Sequence, residues 1–320
     1  MQTSSSSGIA EGIIDLVRIG IIQTDLDFRV AWKERRSDGH ICMSIAEQDR
    51  AWTQIRLGLR QFAANEIKPD VVLLPELALP ISRIRDITRL AKAVNCILIG
   101  GVDYSNSQAE SGEHSVKNQG IVVVPKSRIA GVGKAYAAAV RLIGKTDPSH
   151  GEEMNLQRAG VKFESDPVIW RFESGRLGAF GVVICYDLLD LERVLLYRNR
   201  IQHLFVLAYN RDVTSFYHLA ESLARTLFCN VVVCNTGYFG GSVVIAPYKN
   251  PWDRTIYRHE GSRLQSNQIF EIPGKALKLA QSQIDPEGLV IKGPEMKKLP
   301  PGFRRKSEND KRASNVKVGK

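Results

Sequence analysis

No two of the five cysteines in this 320-residue chain are spaced as CxxC, and five is an odd number to pair. Three of them, Cys96, Cys185 and Cys234, lie inside apolar runs that read as strands. A disulfide framework and a zinc ribbon are therefore excluded as organising devices, and reduced thiols in a cytoplasm are expected. Long hydrophobic runs are missing as well. The best one near the start, Ile13 to Ile22, is broken by Asp15 and Arg18 and is too short to span a bilayer, and nothing reads as a targeting segment. The six histidines (His40, His114, His150, His203, His218, His259) are scattered, with no pair at metal-ligand spacing on a helix, so no metal site is expected. Gly240-Gly241-Ser242 lacks the lysine and helix of a phosphate loop.

Basic charge is abundant but confined. Of the formal net +10, +7 falls within residues 292–320, which leaves +3 for everything before them. Such a run reads as a disordered solubilising or docking tail; nucleic-acid binding is unlikely from it, at most a nonspecific contact. Residues 1–12, rich in serine and glycine, read as a flexible lead-in. Between them, 13–291 shows no repeat and no linker and is expected to form one domain. Its apolar share of 43% and charged share of 24% are those of an ordinary globular core with a solvated surface.

Strand and helix signals alternate along this domain. Strands are expected at 16–23, 71–75, 96–102, 203–209, 231–235 and 242–247, with a weaker one at 268–273. Hairpins are expected from 119–125 into 128–136 across Lys126-Ser127, and from "PVIWRFE" into "LGAFGVVIC" across Ser174-Gly175. Helices are expected within 46–66, near 82–93, at 191–201 and at 215–229. Near-continuous apolar strands call for sheets covered on both faces. Ten or so strands with four or five helices are too many for one doubly wound sheet. Two stacked sheets flanked by helices, a four-layer α-β-β-α sandwich, use them all.

Three reactive side chains sit at or just past the ends of expected strands: Glu76 in "VVLLPELALP", Lys134 in "RIAGVGKAY" and Cys185 in "GVVICYD". Strand ends hold side chains rigidly while leaving access from the loops. A thiol needs a base or a neighbouring cation to become a nucleophile at neutral pH. A carboxylate can take its proton, and a lysine can stabilise the thiolate and a later oxyanion. Taken singly, each has an ordinary reading: a buried cysteine, a helix-start acid, a solvated hairpin lysine. The joint pattern is what points to chemistry. Tyr209 and Asn210, just past the strand at 203–209, are candidates to line a substrate pocket, or else form a plain turn.

The set resembles the nitrilase superfamily of carbon–nitrogen hydrolases. "LLPELALP", "GVGKAY" and "GVVICYD" resemble its three catalytic blocks. "VRIGIIQ", "IGGVDY", Asn118 before "QGIVVVP", and "LARTLFCNVVVCNTGYFGGSVVIAP" resemble further blocks in the same order, from about Arg18 to Pro247. The resemblance implies a cofactor-free, cysteine-dependent hydrolase of a non-peptide C–N bond. Cys185 would form a thioester, Glu76 would act as general base, and Lys134 with the backbone N–H of Tyr186 would hold the oxyanion. It also implies a second glutamate, for which Glu153 is the candidate with Glu152 the alternative, unless both sit on a surface loop. Family members associate through helices near the nucleophile, so a homo-oligomer through 191–201 and 215–229 is implied.

Two departures bear on substrate. Tyr136 stands where many members have His two residues past the lysine, and Leu189 where many have Arg four past the cysteine. Cys-Tyr-Asp in place of Cys-Trp-Glu leans towards an amide or N-carbamoyl amine rather than a nitrile. Two alternatives stay open: an amidotransferase or acyltransferase using the same intermediate, and a non-catalytic scaffold with a basic binding tail.

Overall fold

Alternation along short apolar strands decides which layer each side chain enters. In strand β2 (Val71–Leu73), Val71 and Leu73 point into one hydrophobic cluster while Val72, with Leu74 just beyond, points into another. In β3 (Ile97–Gln108), Ile97 and Ile99 join the first cluster and Leu98 the second. The sheet holding these strands is therefore covered on both faces. The computed structural model describes residues 16–32, 39–125, 138–175, 177–282 and 293–303.

Two sheets carry the described residues. The first has the order β13-β1-β2-β3-β4-β5, with β6 beside β4. Its members are β1 (Leu16–Gln23), β2, β3, β4 (His114–Pro125), β5 (Ala138–Gly144), β6 (Lys162–Phe163) and β13 (Ser266–Pro273). The second runs β12-β11-β10-β9-β8-β7, from β7 (Arg171–Ser174), β8 (Gly178–Ile184), β9 (His203–Ala208), β10 (Asn230–Asn235), β11 (Val243–Ile245) and β12 (Thr255–Arg258). Parallel pairing is central in both, β1-β2-β3 and β8-β9-β10, and helical crossovers supply it.

The helices named here are α1 (Phe28–Ala31), α2 (Ile45–Ala64), α3 (Ile84–Val94), α4 (His150–Arg158), α5 (Leu191–Leu195) and α6 (Val213–Leu223). Trp52, Ile55, Leu59 and Phe62 recur at helical spacing along α2. With Ile87, Ala91 and Val94 of α3 they cover the outer face of the first sheet. Phe216, Ala220 and Leu223 of α6 pack in the cluster that holds the second sheet and the inner face of the first. The layers are helix, sheet, sheet, helix, as expected.

Four local differences from the expectations matter. Besides β3, β4 pairs antiparallel with β5, with Pro125 opposite Ala138 and Gln119 opposite Gly144. The expected partner 128–136, and Lys134 with it, lies outside the described residues. The helix expected at 191–201 ends at Leu195. The helix expected at 215–229 is α6 extended by a single π turn, Ala224–Phe228. Finally, residues 293–303, read above as the start of a tail, lie against the body. Lys297 N–H donates to the Pro247 carbonyl at 2.9 Å, and Phe303 meets Phe228 edge-on at 5.9 Å. Residues 304–320 lie outside the described residues. Among the described residues, no helix is long and apolar enough to cross a membrane.

One buried group makes stability depend on pH. His203, wholly enclosed at the start of β9, has Nε2 2.8 Å from the Leu177 carbonyl and Nδ1 3.0 Å from Asn230 Nδ2. A carbonyl only accepts, so Nε2 carries the proton, Nδ1 accepts, and the neutral ring is satisfied. Burial lowers its pKa to about 4. The unfolded chain then binds the extra proton between about pH 6.5 and 4, and the stability present above that window is lost as pH falls through it. The expected loss is about 3 kcal/mol. In urea unfolding, the gap between wild type and His203→Gln should narrow by that amount from pH 7 to 4. A constant gap would show that His203 does not titrate in this way.

Candidate active site

Glu76 lies in the turn that follows β2, and its side chain is 3% exposed. The turn stays pinned to β3: Gly101 N–H donates to the Pro75 carbonyl and Leu79 N–H to the Gly101 carbonyl. Leu77 adopts a positive φ of 56° to close it. Gly101 is what admits the turn, because a Cβ there would lie 2.3 Å from Glu76 Cα and 2.4 Å from Leu77 N.

The cation that meets Glu76 is Lys145, the first residue after β5. Its ammonium is 1% exposed and lies 2.9 Å from Glu76 Oε1 and 2.5 Å from Glu152 Oε2. Glu152 is the third residue of α4, locked by a capping box: Ser149 Oγ accepts from Glu152 N–H, and Ser149 N–H donates to Glu152 Oε2, both at 3.3 Å. Asn118 closes the ring, its Nδ2 donating at 2.8 Å to Oε1 of both Glu76 and Glu152. Tyr104 Oη donates to Glu152 Oε1 at 2.9 Å. A β-bulge sets Tyr104 and Asn118 opposite each other: the pairing skips from Val102–Gln119 to Ser105–Lys117, two residues against one.

Cys185 directly follows β8 with a left-handed φ of 44°, at the start of a 3₁₀ turn, Cys185–Leu189. A non-glycine residue held there stores strain, and such strain gathers at functional sites. The thiol is 4% exposed and lies in the field of the Glu76 carboxylate and the Lys145 ammonium, with the Tyr209 backbone beside it. Asp187, two residues on, accepts from the N–H groups of Thr146 and Asp147 at 2.9 and 3.0 Å. The turn bearing the cysteine is thus tied to the loop that begins at the lysine.

The charges settle into a definite resting state. Burial, and then the Glu76 charge, push the Cys185 thiol well above its ordinary pKa; Lys145 and the Tyr209 N–H only partly oppose this. Burial acts against the Lys145 charge, but Glu76 and Glu152 override it and hold the amine protonated. Burial also acts against the Glu152 carboxylate, yet Lys145, Asn118 and Tyr104 together hold its pKa below the usual range. At rest the site therefore holds a protonated thiol beside an ammonium that the Glu152 carboxylate neutralises.

The sequence candidates distribute unevenly. Glu76 and Cys185 meet in this cluster, and Tyr209 touches it through its backbone. Asn210 stands one residue further, its N–H on Asn235 Oδ1 at 2.9 Å. The Tyr186 side chain is 40% exposed. Glu153 faces solvent, with Gln157 Nε2 3.4 Å away, and Glu152 is the acid that enters the site. Lys134 lies outside the described residues; among the described residues, the lysine that meets Glu76 is Lys145. Two sequence signals mark these residues: "LIGK" repeats the Gly-Lys ending of "GVGK", and Ser149-x-x-Glu152 spells a capping box that selects Glu152 over Glu153. Among the described residues, no group of three or more His, Cys, Asp or Glu is placed to hold a metal ion.

No protein-family profile and no curated protein matches the chain. Solved structures do. A CN-hydrolase superfamily protein from Xanthomonas campestris superposes with a TM-score of 0.57 at 15% identity, over 85% of this chain and 96% of the other. Nit3 of Saccharomyces cerevisiae, a member of branch 10 of the nitrilase superfamily, gives 0.54 at 16% identity over 85% and 95%. An amidase from Nesterenkonia sp. gives 0.55 at 14% identity over 85% and 96%. Two stacked sheets between helices, with Cys185 at one strand end and Glu76 at another, are thus built on the fold of the CN-hydrolase, or nitrilase, superfamily.

Proposed function

We propose that this protein is a cysteine-dependent hydrolase acting on the C–N bond of an amide or N-carbamoyl amine, with Cys185 as nucleophile, Glu76 as general base, Lys145 as the oxyanion's cation and Glu152 holding that lysine. One observation carries the reading: Cys185 is buried beside Glu76, and Glu76 shares Lys145 with Glu152 inside one buried hydrogen-bonded ring. Glu76 takes the thiol proton as sulfur attacks the carbonyl carbon, and the carbonyl electrons move to an oxygen facing Lys145 and the Tyr186 N–H. Collapse breaks the C–N bond, and the proton on Glu76 leaves with the amine. Water then gives its proton to Glu76 and its oxygen to the thioester, and Cys185 leaves and is reprotonated. The amidase neighbour lends support: one of its variants carries the acetamide moiety of fluoroacetamide on its active-site cysteine.

The test is ammonia release from primary amides, N-carbamoyl amines and nitriles, with intact-mass analysis of quenched reactions. The expected result is turnover of amides or carbamoyl amines and an acyl adduct on Cys185, neither of which appears in Cys185→Ala. Acyl transfer to an added amine that outruns hydrolysis would move the reading to an acyltransferase. Full function in Cys185→Ala would move it to a scaffold.

The partner expected is a second copy. Tyr186, Leu189, Leu191, Leu195 and Leu196, all within eleven residues after the nucleophile, are each at least 40% exposed. So many large apolar side chains in one short stretch mark a face that another protein covers. α6 does not extend this face, since Thr214, Ser215, His218 and Ser222 lie on its outer side. We propose that the homo-oligomer joins through 186–196. Sedimentation should give a dimer or larger assembly, and Leu195→Asp with Leu191→Asp should give a monomer. An unchanged assembly would place the interface elsewhere.

A further inference from the structure

Beside the nucleophile begins a run of aromatic rings, most of which the chemistry above does not use. Tyr209, whose backbone lies beside Cys185, packs edge-on against Trp32 at 5.7 Å and Phe239 at 5.6 Å. Trp32 continues to Tyr104 at 6.1 Å, whose hydroxyl holds Glu152. Phe239 continues to Phe28 at 5.9 Å and Tyr238 at 5.0 Å. Six rings from four separate stretches of chain thus form one connected array that includes the residue beside Cys185. Their burial is unlike that of a core. Tyr104 is enclosed, but Trp32, Tyr209, Tyr238 and Phe239 are only half-buried, and Phe28 is 44% exposed. The run therefore leads from the catalytic ring to solvent with ring surface accessible along the way.

The guanidinium groups of Arg29 and Arg263 lie 5.7 and 5.6 Å over the Tyr238 ring, so they crown the outer end. Phe239, Tyr209 and Trp32 form the middle of the array, between that end and Tyr104. Four of the pairs stand within about ten degrees of perpendicular. A further ring can extend such an edge-to-face array, whereas an alkyl chain gains contact area alone.

We propose that these rings receive the acyl group of the substrate, and that the substrates are amides whose carbon chain carries an aromatic ring. The substrate class rests on the hydrolase reading; the ring-binding wall does not, and the two can be separated. Calorimetric titration of the Cys185→Ala protein with 3-phenylpropanamide and with propanamide reads the wall without turnover. The aryl amide should bind at least tenfold more tightly, since each aromatic contact multiplies affinity by roughly two- to tenfold. Phe239→Ala in the same background should remove most of that preference. Phe28→Ala, at a half-exposed position where truncation leaves the core intact, should reduce it severalfold and serves if Phe239→Ala does not fold. Equal affinities for the two amides, or a preference that both variants keep, would overturn the proposal even if wild type hydrolyses amides. Tight aryl binding with no turnover of any amide would uphold the wall and remove the hydrolase reading instead.

Discussion

Lys145→Met is expected to reduce C–N hydrolysis by at least about 10³-fold and to destabilise the fold by about 3–5 kcal/mol, the range for removing one partner of a buried ion pair. Methionine fills the space but leaves Glu76 and Glu152 facing each other with only Asn118 between them. Two enclosed carboxylates without a cation cannot both stay ionised, so one takes up a proton. If that proton sits on Glu76, the base that must accept from Cys185 is already occupied. The sign of the pH effect follows. A carboxyl whose folded pKa is raised contributes stability at low pH that is lost as pH rises, so the variant's deficit in urea unfolding should be smaller at pH 5 than at pH 8. Ammonia release measured beside Lys134→Met decides between the lysines. Activity surviving in Lys145→Met and lost in Lys134→Met would return the role to Lys134.

Gly101→Ala, one methyl group added in mid-strand, should cost about 10²-fold in kcat/KM and about 1–3 kcal/mol in stability. The new carbon would meet backbone on both near sides, Glu76 Cα at 2.3 Å and Leu77 N at 2.4 Å, and backbone held in a positive-φ turn has little room to give. The turn must shift outward and carry the carboxylate off the thiol. Gly151→Ala is the contrast: nothing lies within 4 Å of its added carbon, and in the first turn of α4 alanine should be neutral or mildly stabilising. Full activity in Gly101→Ala would mean that Glu76 is positioned by something other than this close approach.

The layers were legible because period-two apolar strands and period-3.6 helices leave a direct trace in residue order. Glu76 and Cys185 were legible for the same reason, each standing where an apolar run stops. Lys145 was not. "GVGK" and "LIGK" are both apolar stretches ending in Gly-Lys, and residue order alone does not say that the second ends beside Glu76, which follows from the pairing of β5 with β4. Glu152 was legible only in part, since adjacent acids look alike until the helix start is fixed by Ser149. Tyr104 could not be read at all as a site residue: the bulge in β3 that pairs it with Asn118 is set by sheet register, and a one-residue slip reverses every side chain.

The capping box has a consequence beyond the helix it closes. Glu152 carries two duties with one carboxylate, satisfying the end of a nine-residue helix and neutralising Lys145. Helix ends open far more readily than the sheets they flank. When the first turn of α4 frays, Lys145 loses a counter-charge and Tyr104 its acceptor, although both sheets stay folded. Warming such a molecule silences it by stages: catalytic competence fades with the breathing of one helix end, at temperatures where the sandwich itself is still whole.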